Sequence, residues 1–437
     1  MSSQPHSRPS TDAISPAAMR RVVVASFIGT AIEWYDFFLY GTAAALVFNR
    51  LFFPTFDPTA GTMAAFATYA VGFFARPLGG VVFGHFGDRV GRKSMLVTTL
   101  MMMGVATFLV GLLPTYGQIG MLAPALLVVL RFVQGLGVGG EWAGAVLMVV
   151  EHSDKARRGL FASWVQAGVP VGLLLATGVF SAFAWLPEPA FLAWGWRVPF
   201  LLGILLTGIG FFIRLRVLES PLFEQAKNER PAPRLPIIEV LRTHPRSVLL
   251  AMGARLAENA FFYIFTVWVL SYATQQLGMA KSTLLNGVLL GSAVQLVAIP
   301  FFGSVSDRLG RRPVYLGGAI FLLAMAFPFF WLVETKNTAL VWTAIIVGMI
   351  GHAAMYGPQA AFFSELFGTR TRYTGASLGY QLASPFAGGL APLIASALLG
   401  WSGGKPWPIA VYLILMALLT IASVLAAAET NRQDLRA

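Results

Sequence analysis

Seven Asp, Glu and Arg residues stand well inside strongly apolar runs of this 437-residue chain: Glu33 and Asp36 in the first run, Arg76 in the second, Arg131 and Glu141 in the fourth, Arg255 and Glu258 in the seventh. A charge within a hydrocarbon-spanning segment is costly and generally faces a cavity or a partner. Glu33 and Asp36 are three residues apart and so share a helix face with Tyr40. Close carboxylates readily share a proton, which makes this pair a candidate to bind and release one. Arg76 stands beside Pro77, and a guanidinium grips a carboxylate through two parallel hydrogen bonds. A structural salt bridge from Arg76 to Glu33 or Asp36 is the plain alternative. Arg131 shares a face with Gln134, and a clamp to Glu141 would explain it. Arg255 and Glu258, again three apart, could simply pair along one helix; Asn259 and Tyr263 then become the better substrate contacts. Tyr356 with Gln359, Tyr380 with Gln381, and Gln166 and Gln295 are polar groups in otherwise apolar runs. Each suits either substrate binding or hydrogen bonding between helices.

The elements that position these residues follow from composition. Hydrophobic residues make up 57% and charged residues 11%, with a mean hydropathy of +0.70. A soluble protein is about 25% charged, so a soluble enzyme or DNA-binding protein is excluded. Twelve apolar segments are marked at 22–48, 62–84, 94–113, 121–150, 160–185, 197–214, 248–273, 284–304, 313–333, 339–362, 375–398 and 408–428. Most exceed the roughly 20 residues a spanning helix needs. The fold expected is an all-α integral membrane protein of twelve transmembrane helices in two six-helix bundles. Its parts are a cytoplasmic tail (1–21), a first bundle (22–214), a cytoplasmic linker (215–247), a second bundle (248–428) and a second tail (429–437). The linker is expected to be helical near 221–228 and 237–243. The polar start of the chain does not read as a signal peptide.

Basic residues set the orientation. With the N-terminus in the cytoplasm, 23 of the 31 Lys and Arg residues fall on the cytoplasmic side, five on the other, and Arg76, Arg131 and Arg255 inside spans. That asymmetry predicts both termini inside. It also explains the net charge of +12 without nucleic acid. No cysteine is present, which excludes disulfides and thiolate metal sites. The sequence has no His-Glu-x-x-His pattern, phosphate-binding loop or nucleophile elbow. Neither metal nor cofactor is expected, and neither ATP-driven transport nor enzymatic activity is supported. Of the histidines, only His352 falls where it could be buried.

The two halves repeat. Gly84 to Lys93 follows the second run and Gly303 to Arg312 the eighth, with Asp88, Arg89 and Arg92 recurring as Asp307, Arg308 and Arg311 at an offset of 219 residues. A weaker echo places Glu151 after the fourth run and Glu365 after the tenth. Both copies keep the same in/out sense, so the repeat is parallel about an axis along the membrane normal. Such clusters could latch the halves in one conformation and release them in another; plain topology-setting charge is the alternative.

The Gly-x-x-x-Asp-Arg-x-Gly-Arg-Lys loop between the second and third spans, with its second copy, resembles the signature of the major facilitator superfamily. More narrowly, Glu33-Trp34-Tyr35-Asp36-Phe37-Phe38-Leu39-Tyr40-Gly41, Arg76-Pro77-Leu78-Gly79-Gly80, Arg131-Phe132-Val133-Gln134-Gly135 and Gly139-Gly140-Glu141-Trp142 resemble the metabolite:proton symporter family. Members of that family include permeases for α-ketoglutarate, citrate, shikimate and proline/betaine. The resemblance implies a proton-coupled symporter of a small polar metabolite, a carboxylate first, working by alternating access as a monomer in a bacterial inner membrane. It also makes Arg131 a candidate for coupling or substrate binding. Rival readings are a zwitterionic osmolyte as substrate, efflux by proton antiport, and a membrane sensor that moves nothing.

Overall fold

The computed structural model describes residues 16–90, 92–139, 142–216, 236–367 and 372–431. Six helices form the first half. They are α1 (Pro16–Ala43, extended by a π-helical turn, Ala44–Phe48), α2 (Pro58–Val90), α3 (Arg92–Leu112), α4 (Leu122–Val138, resuming as Trp142–His152), α5 (Arg158–Ala184) and α6 (Arg197–Arg216). A short helix, Pro236–Thr243, precedes the second half. There α7 runs Pro245–Tyr263, through a π-helical turn at Ile264–Trp268, to Val269–Gln275. It is followed by α8 (Lys281–Leu309), α9 (Arg311–Glu334) and α10 (Thr338–Glu365). The chain ends with α11 (Arg372–Ser384, π-helical Pro385–Gly389, then Ala391–Trp401) and α12 (Trp407–Ala426). No strand occurs among the described residues.

Local sequence accounts for the ends. Proline at the first position opens α7 after His244, where its missing N–H costs nothing. The Asn337 side chain accepts the Ala339 and Leu340 N–H groups and so starts α10. Gly310 turns α8 into α9 at φ 106°, a conformation that favours glycine.

The internal repeat is visible in the packing. In the first half α1 packs on α5, α2 on α4 and α3 on α6; in the second, α7 packs on α11, α8 on α10 and α9 on α12. The π-helical turns of α1 and α7 begin at Ala44 and Ile264, an offset of 220 residues. The halves meet chiefly along α5 with α8 and α2 with α11. Leu205, Ile209, Val297, Phe301, Leu415 and Leu419 point outward, as a surface solvated by lipid requires. Trp185, Trp194, Trp331, Trp401 and Trp407 are exposed at the end of the bundle opposite the Asp307 turn, where aromatic side chains anchor a membrane interface.

Three boundaries differ from the sequence expectation. Residues 16–21, expected in the tail, belong to α1, because nothing there breaks a helix. Pro245 opens α7 three residues before the expected bundle start. Residues 429–431, expected in the second tail, dock on the start of α9 through Glu429. The helix expected near 237–243 is observed; the one expected near 221–228 lies outside the described residues.

Candidate functional site

The first half supplies two arginines on one aromatic ring. Phe37 of α1 lies between them, with Arg76 Cζ 4.1 Å and Arg131 Cζ 4.0 Å from the ring centroid. Phe73 and Trp34 also face Arg76, at 4.7 and 5.0 Å, while Tyr40 and Tyr69 face Arg131, at 4.3 and 4.6 Å. Aromatic faces hold a guanidinium without using its N–H groups. Arg131 donates to the Tyr69 carbonyl at 3.4 Å and to Gln134 Oε1 at 3.1 Å. Arg76 Nε and Nη2 and Arg131 Nη2 are buried with no hydrogen-bond acceptor among the described residues. Among the described residues Asp36 makes no ion pair with Arg76; its partner is Thr107. Arg76 is engaged by aromatic rings instead.

Glycines bring these arginines together. A Cβ at Gly135 would overlap the Gly72 carbonyl, one at Gly139 the Arg76 carbonyl, and one at Gly79 the Leu136 carbonyl. α2 and α4 therefore meet backbone to backbone, as small-residue faces allow. Arg131 crosses α2 at Gly72, where a side chain would press on its Nε. Asp36 points elsewhere, toward Thr107 of α3 and Gly203 of α6. Thr107 accepts a hydrogen bond from Gln134 Nε2 at 2.8 Å, so a polar chain links Asp36 to Arg131 through two intermediates. Tyr40 donates to Thr68 at 2.8 Å. Glu33 is buried on the same helix. Glu141 lies outside the described residues, so the clamp from Arg131 to it is undescribed.

The second half is denser. Arg255 Cζ sits 3.1 Å over the Tyr380 ring and donates to Gln359 at 3.1 Å and Asn259 at 3.5 Å. Its distance to Glu258 is 3.8 Å. Glu258 has closer partners: Oε1 meets His352 Nε2 at 3.0 Å and Oε2 accepts from Gln359 at 3.2 Å. The simple intrahelical pair is thus a minor part of a network that spans α7, α8 and α10. Arg255 Nε and Asn259 Nδ2 are buried without acceptors among the described residues. Tyr356 and Tyr380 meet hydroxyl to hydroxyl at 3.4 Å. Tyr263 packs edge-on against Tyr69 and Phe73 of the other half, which places both arginine groups at one interface. Trp142 stacks on Tyr380 at 3.7 Å and donates to Gln166 at 2.8 Å. Gln381 donates to the Gly139 carbonyl across the halves at 3.2 Å. A central cavity of about 10 Å³, near the size that admits one water, is lined by Trp34, Arg255, Asn259, Tyr263, His352 and Tyr380 among others.

Both ends are closed. At the cytoplasmic end Asp307 accepts the Gly159 and Leu160 N–H groups at the start of α5, at 2.7 and 2.9 Å, a favourable place for an anion. Arg311 bridges Asp307 at 2.7 Å and Glu365 at 3.2 Å, and Arg158 reaches Glu365 from the other half at 3.0 Å. Thr430 also donates to Glu365, at 2.7 Å. Arg308 is exposed and takes no part in this cluster; one residue past Asp307, it points to the other side of the helix. The side chains of Asp88, Arg89, Arg92 and Glu151 lie outside those described. At the opposite end Thr62 donates to Gln275 across the halves at 3.1 Å. Exposed Glu188 pairs with Arg50 and, at 3.7 Å, with Lys281.

His352 is the main site residue that spacing does not single out; a lone histidine carries no pattern. Phe37, Phe73 and Tyr69 are hidden among many aromatics, and Arg158 stands in no motif that points to Glu365.

Two helical halves that bury arginines along their interface, closed at both ends by polar clasps, have the architecture of a secondary carrier. The Major Facilitator Superfamily model matches residues 26–384, and the chain belongs to that superfamily. It is 44% identical to the shikimate transporter of Escherichia coli (strain K12), over 97% of this chain and 98% of the relative. It is 41% identical to the inner membrane metabolite transport protein YhjE of the same organism, over 95% of each. The proline/betaine transporter of Salmonella typhimurium (strain LT2) is 33% identical, over 97% of this chain and 86% of the relative. In fold it is similar to the proton:xylose symporter XylE bound to 6-bromo-6-deoxy-D-glucose, with a TM-score of 0.71, 16% identity, and coverage of 96% of this chain and 98% of that one. The protein is therefore a multi-pass membrane transporter of a small molecule.

Proposed function

We propose that this protein is an inner-membrane symporter that imports a small carboxylate together with protons, with shikimate the first candidate. The observation that carries the reading is the set of buried arginines at the interface, Arg76, Arg131 and Arg255, each with at least one N–H lacking an acceptor among the described residues. A buried guanidinium with open donors favours an anion strongly. The likeness to a shikimate transporter over nearly the full chain supports a carboxylate over the zwitterion that the proline/betaine relative's name suggests. In this reading Arg76 and Arg131 bind the carboxylate while the aromatic rings exclude water. Asp36, linked to Arg131 through Thr107 and Gln134, carries a proton, with Glu33 beside it. The clasps at Asp307–Arg311–Glu365 and at Thr62–Gln275 open in alternation, and the closed form seen here lies between the two.

Purified protein in liposomes with an internal pH dye tests this. Shikimate added outside should acidify the interior saturably, and Asp36→Asn should abolish accumulation while keeping exchange. Full accumulation by both Asp36→Asn and Glu33→Gln would remove these acids from the coupling scheme. Alkalinisation on adding substrate would favour antiport instead.

A further inference from the structure

The Glu258–His352–Gln295 cluster has no assigned work in carboxylate binding by the first half, yet it is built in detail. His352 is 3% exposed. Its Nε2 meets Glu258 Oε1 at 3.0 Å and its Nδ1 meets Gln295 Nε2 at 2.7 Å. Gln295 Nε2 also donates to the Met349 carbonyl at 3.1 Å, which fixes the amide as a donor toward Nδ1. The imidazole is then neutral, with its proton on Nε2 and directed at Glu258. Gln295 Oε1 is buried with no hydrogen-bond donor among the described residues. A half-turn of that amide would present Oε1 to Nδ1 and accept a second imidazole proton, at the cost of the Met349 bond. The cluster thus has two hydrogen-bonding arrangements that differ by one proton.

The surroundings decide what that proton does. From α7, Arg255 stands 3.8 Å from Glu258, and the Phe262 ring lies 4.7 Å from the imidazole. On α10 itself Tyr356 is 5.1 Å away, ring to ring. α9 contributes Tyr315, whose hydroxyl accepts from Gln359 at 2.9 Å, and α11 contributes Tyr380 beneath Arg255. α7 adds Tyr263 to the same cavity, and α1 and α5 line it with Trp34 and Val169, neither charged. With a neutral imidazole, Arg255 and Glu258 cancel. With an imidazolium, Glu258 is neutralised by His352, and Arg255 faces the cavity with an unmet charge and an open Nε.

We propose that His352 is a proton site of the second half, and that the proton it takes up makes Arg255 bind a substrate carboxylate. The proposal rests on the carboxylate-symport reading and adds a second proton site to it. Proton and anion each raise the affinity for the other by the same factor.

The test is equilibrium binding of shikimate, α-ketoglutarate and glycine betaine to purified protein between about pH 5.5 and 8, read by isothermal titration calorimetry. Wild type should bind a carboxylate up to about tenfold more weakly per unit rise in pH. His352→Gln should bind weakly, with that dependence flattened. Gln295→Glu offers only acceptors to Nδ1 and should flatten the dependence the other way, holding the tight affinity at about pH 8. A misfolded variant would not give opposite plateaus, and thermal melts of both check folding. A wild-type slope retained in His352→Gln, no slope in wild type, or no carboxylate binding at all overturns the proposal. The liposome assay separates it from the wider reading. Binding linked to His352 without proton movement sinks symport and leaves this site standing. Proton-driven uptake with a pH slope insensitive to His352→Gln does the reverse.

Discussion

Arg76 lies among three aromatic rings, and its Nε and Nη2 have no acceptor among the described residues; this combination makes it the sharpest single test at the residue scale. Lysine would keep the charge and lose the planar fork. Arg76→Lys should raise the KM for a carboxylate about ten- to hundredfold, as measured by initial uptake rates; an unchanged KM would move the role to Arg131 or Arg255. These arginines were legible in the sequence because a charge in an apolar run is conspicuous. Their surroundings were not. The chain has 35 phenylalanines, and only the fold picks out Phe37 as the ring both cations share. Nor does spacing show that Glu258 turns from its helix neighbour Arg255 toward a histidine 94 residues away.

At the scale of the element, the register of α2 against α4 is set by glycine. Alanine normally stabilises a helix by about 1 kcal/mol relative to glycine. At Gly135 or Gly139 its Cβ would strike backbone, and overpacking costs about 1–3 kcal/mol. Gly135→Ala and Gly139→Ala should therefore lower the melting temperature in detergent and impair uptake. Gly208→Ala on α6, where a Cβ meets nothing within 4 Å, should be neutral or stabilising. The glycines of α4 and α2 stand in the sequence as parts of motifs, but which of them meet was not legible, because close approach depends on a crossing point that no local pattern states. The start of α9 carries a second element-scale prediction. Burial works against the charge on Glu429, but backbone N–H groups of Arg311, Asn431, Arg312 and Thr430 outweigh it and hold the carboxyl below its usual range. An acid held low in the folded state stabilises above its unfolded value, about 4.3, and loses that contribution as pH falls through the lower folded value. Glu429→Gln should melt below wild type near neutral pH, and the difference should vanish in acid.

For the whole molecule, the two halves and their parallel repeat were readable from the twelve apolar runs, the recurring Asp-Arg-x-Gly-Arg loops and the distribution of basic residues. The cross-half pairing of Arg158 with Glu365 was not, since it joins positions 207 residues apart that share no motif. Removing one partner of a buried ion cluster costs about 3–5 kcal/mol, and here that cost falls on the form closed to the cytoplasm. Glu365→Gln should shift the carrier toward the inward-open form. The chain contains no cysteine, so a single reporter, Ser163→Cys on α5 against Gly303 of α8, reads this directly. Its thiol should react faster with a membrane-impermeant maleimide, applied to inside-out vesicles, when Glu365→Gln is present. An equal rate would mean that the cluster sets topology and not conformation.

The account's central claim is that the buried arginines between the halves recognise a carboxylate. The most direct measurement is the affinity of the purified protein for shikimate beside that for its methyl ester, which keeps the ring and hydroxyls and removes the charge. The account predicts that the ester binds at least about a hundredfold more weakly, and that the gap shrinks in Arg76→Lys. Equal affinity for acid and ester would contradict it.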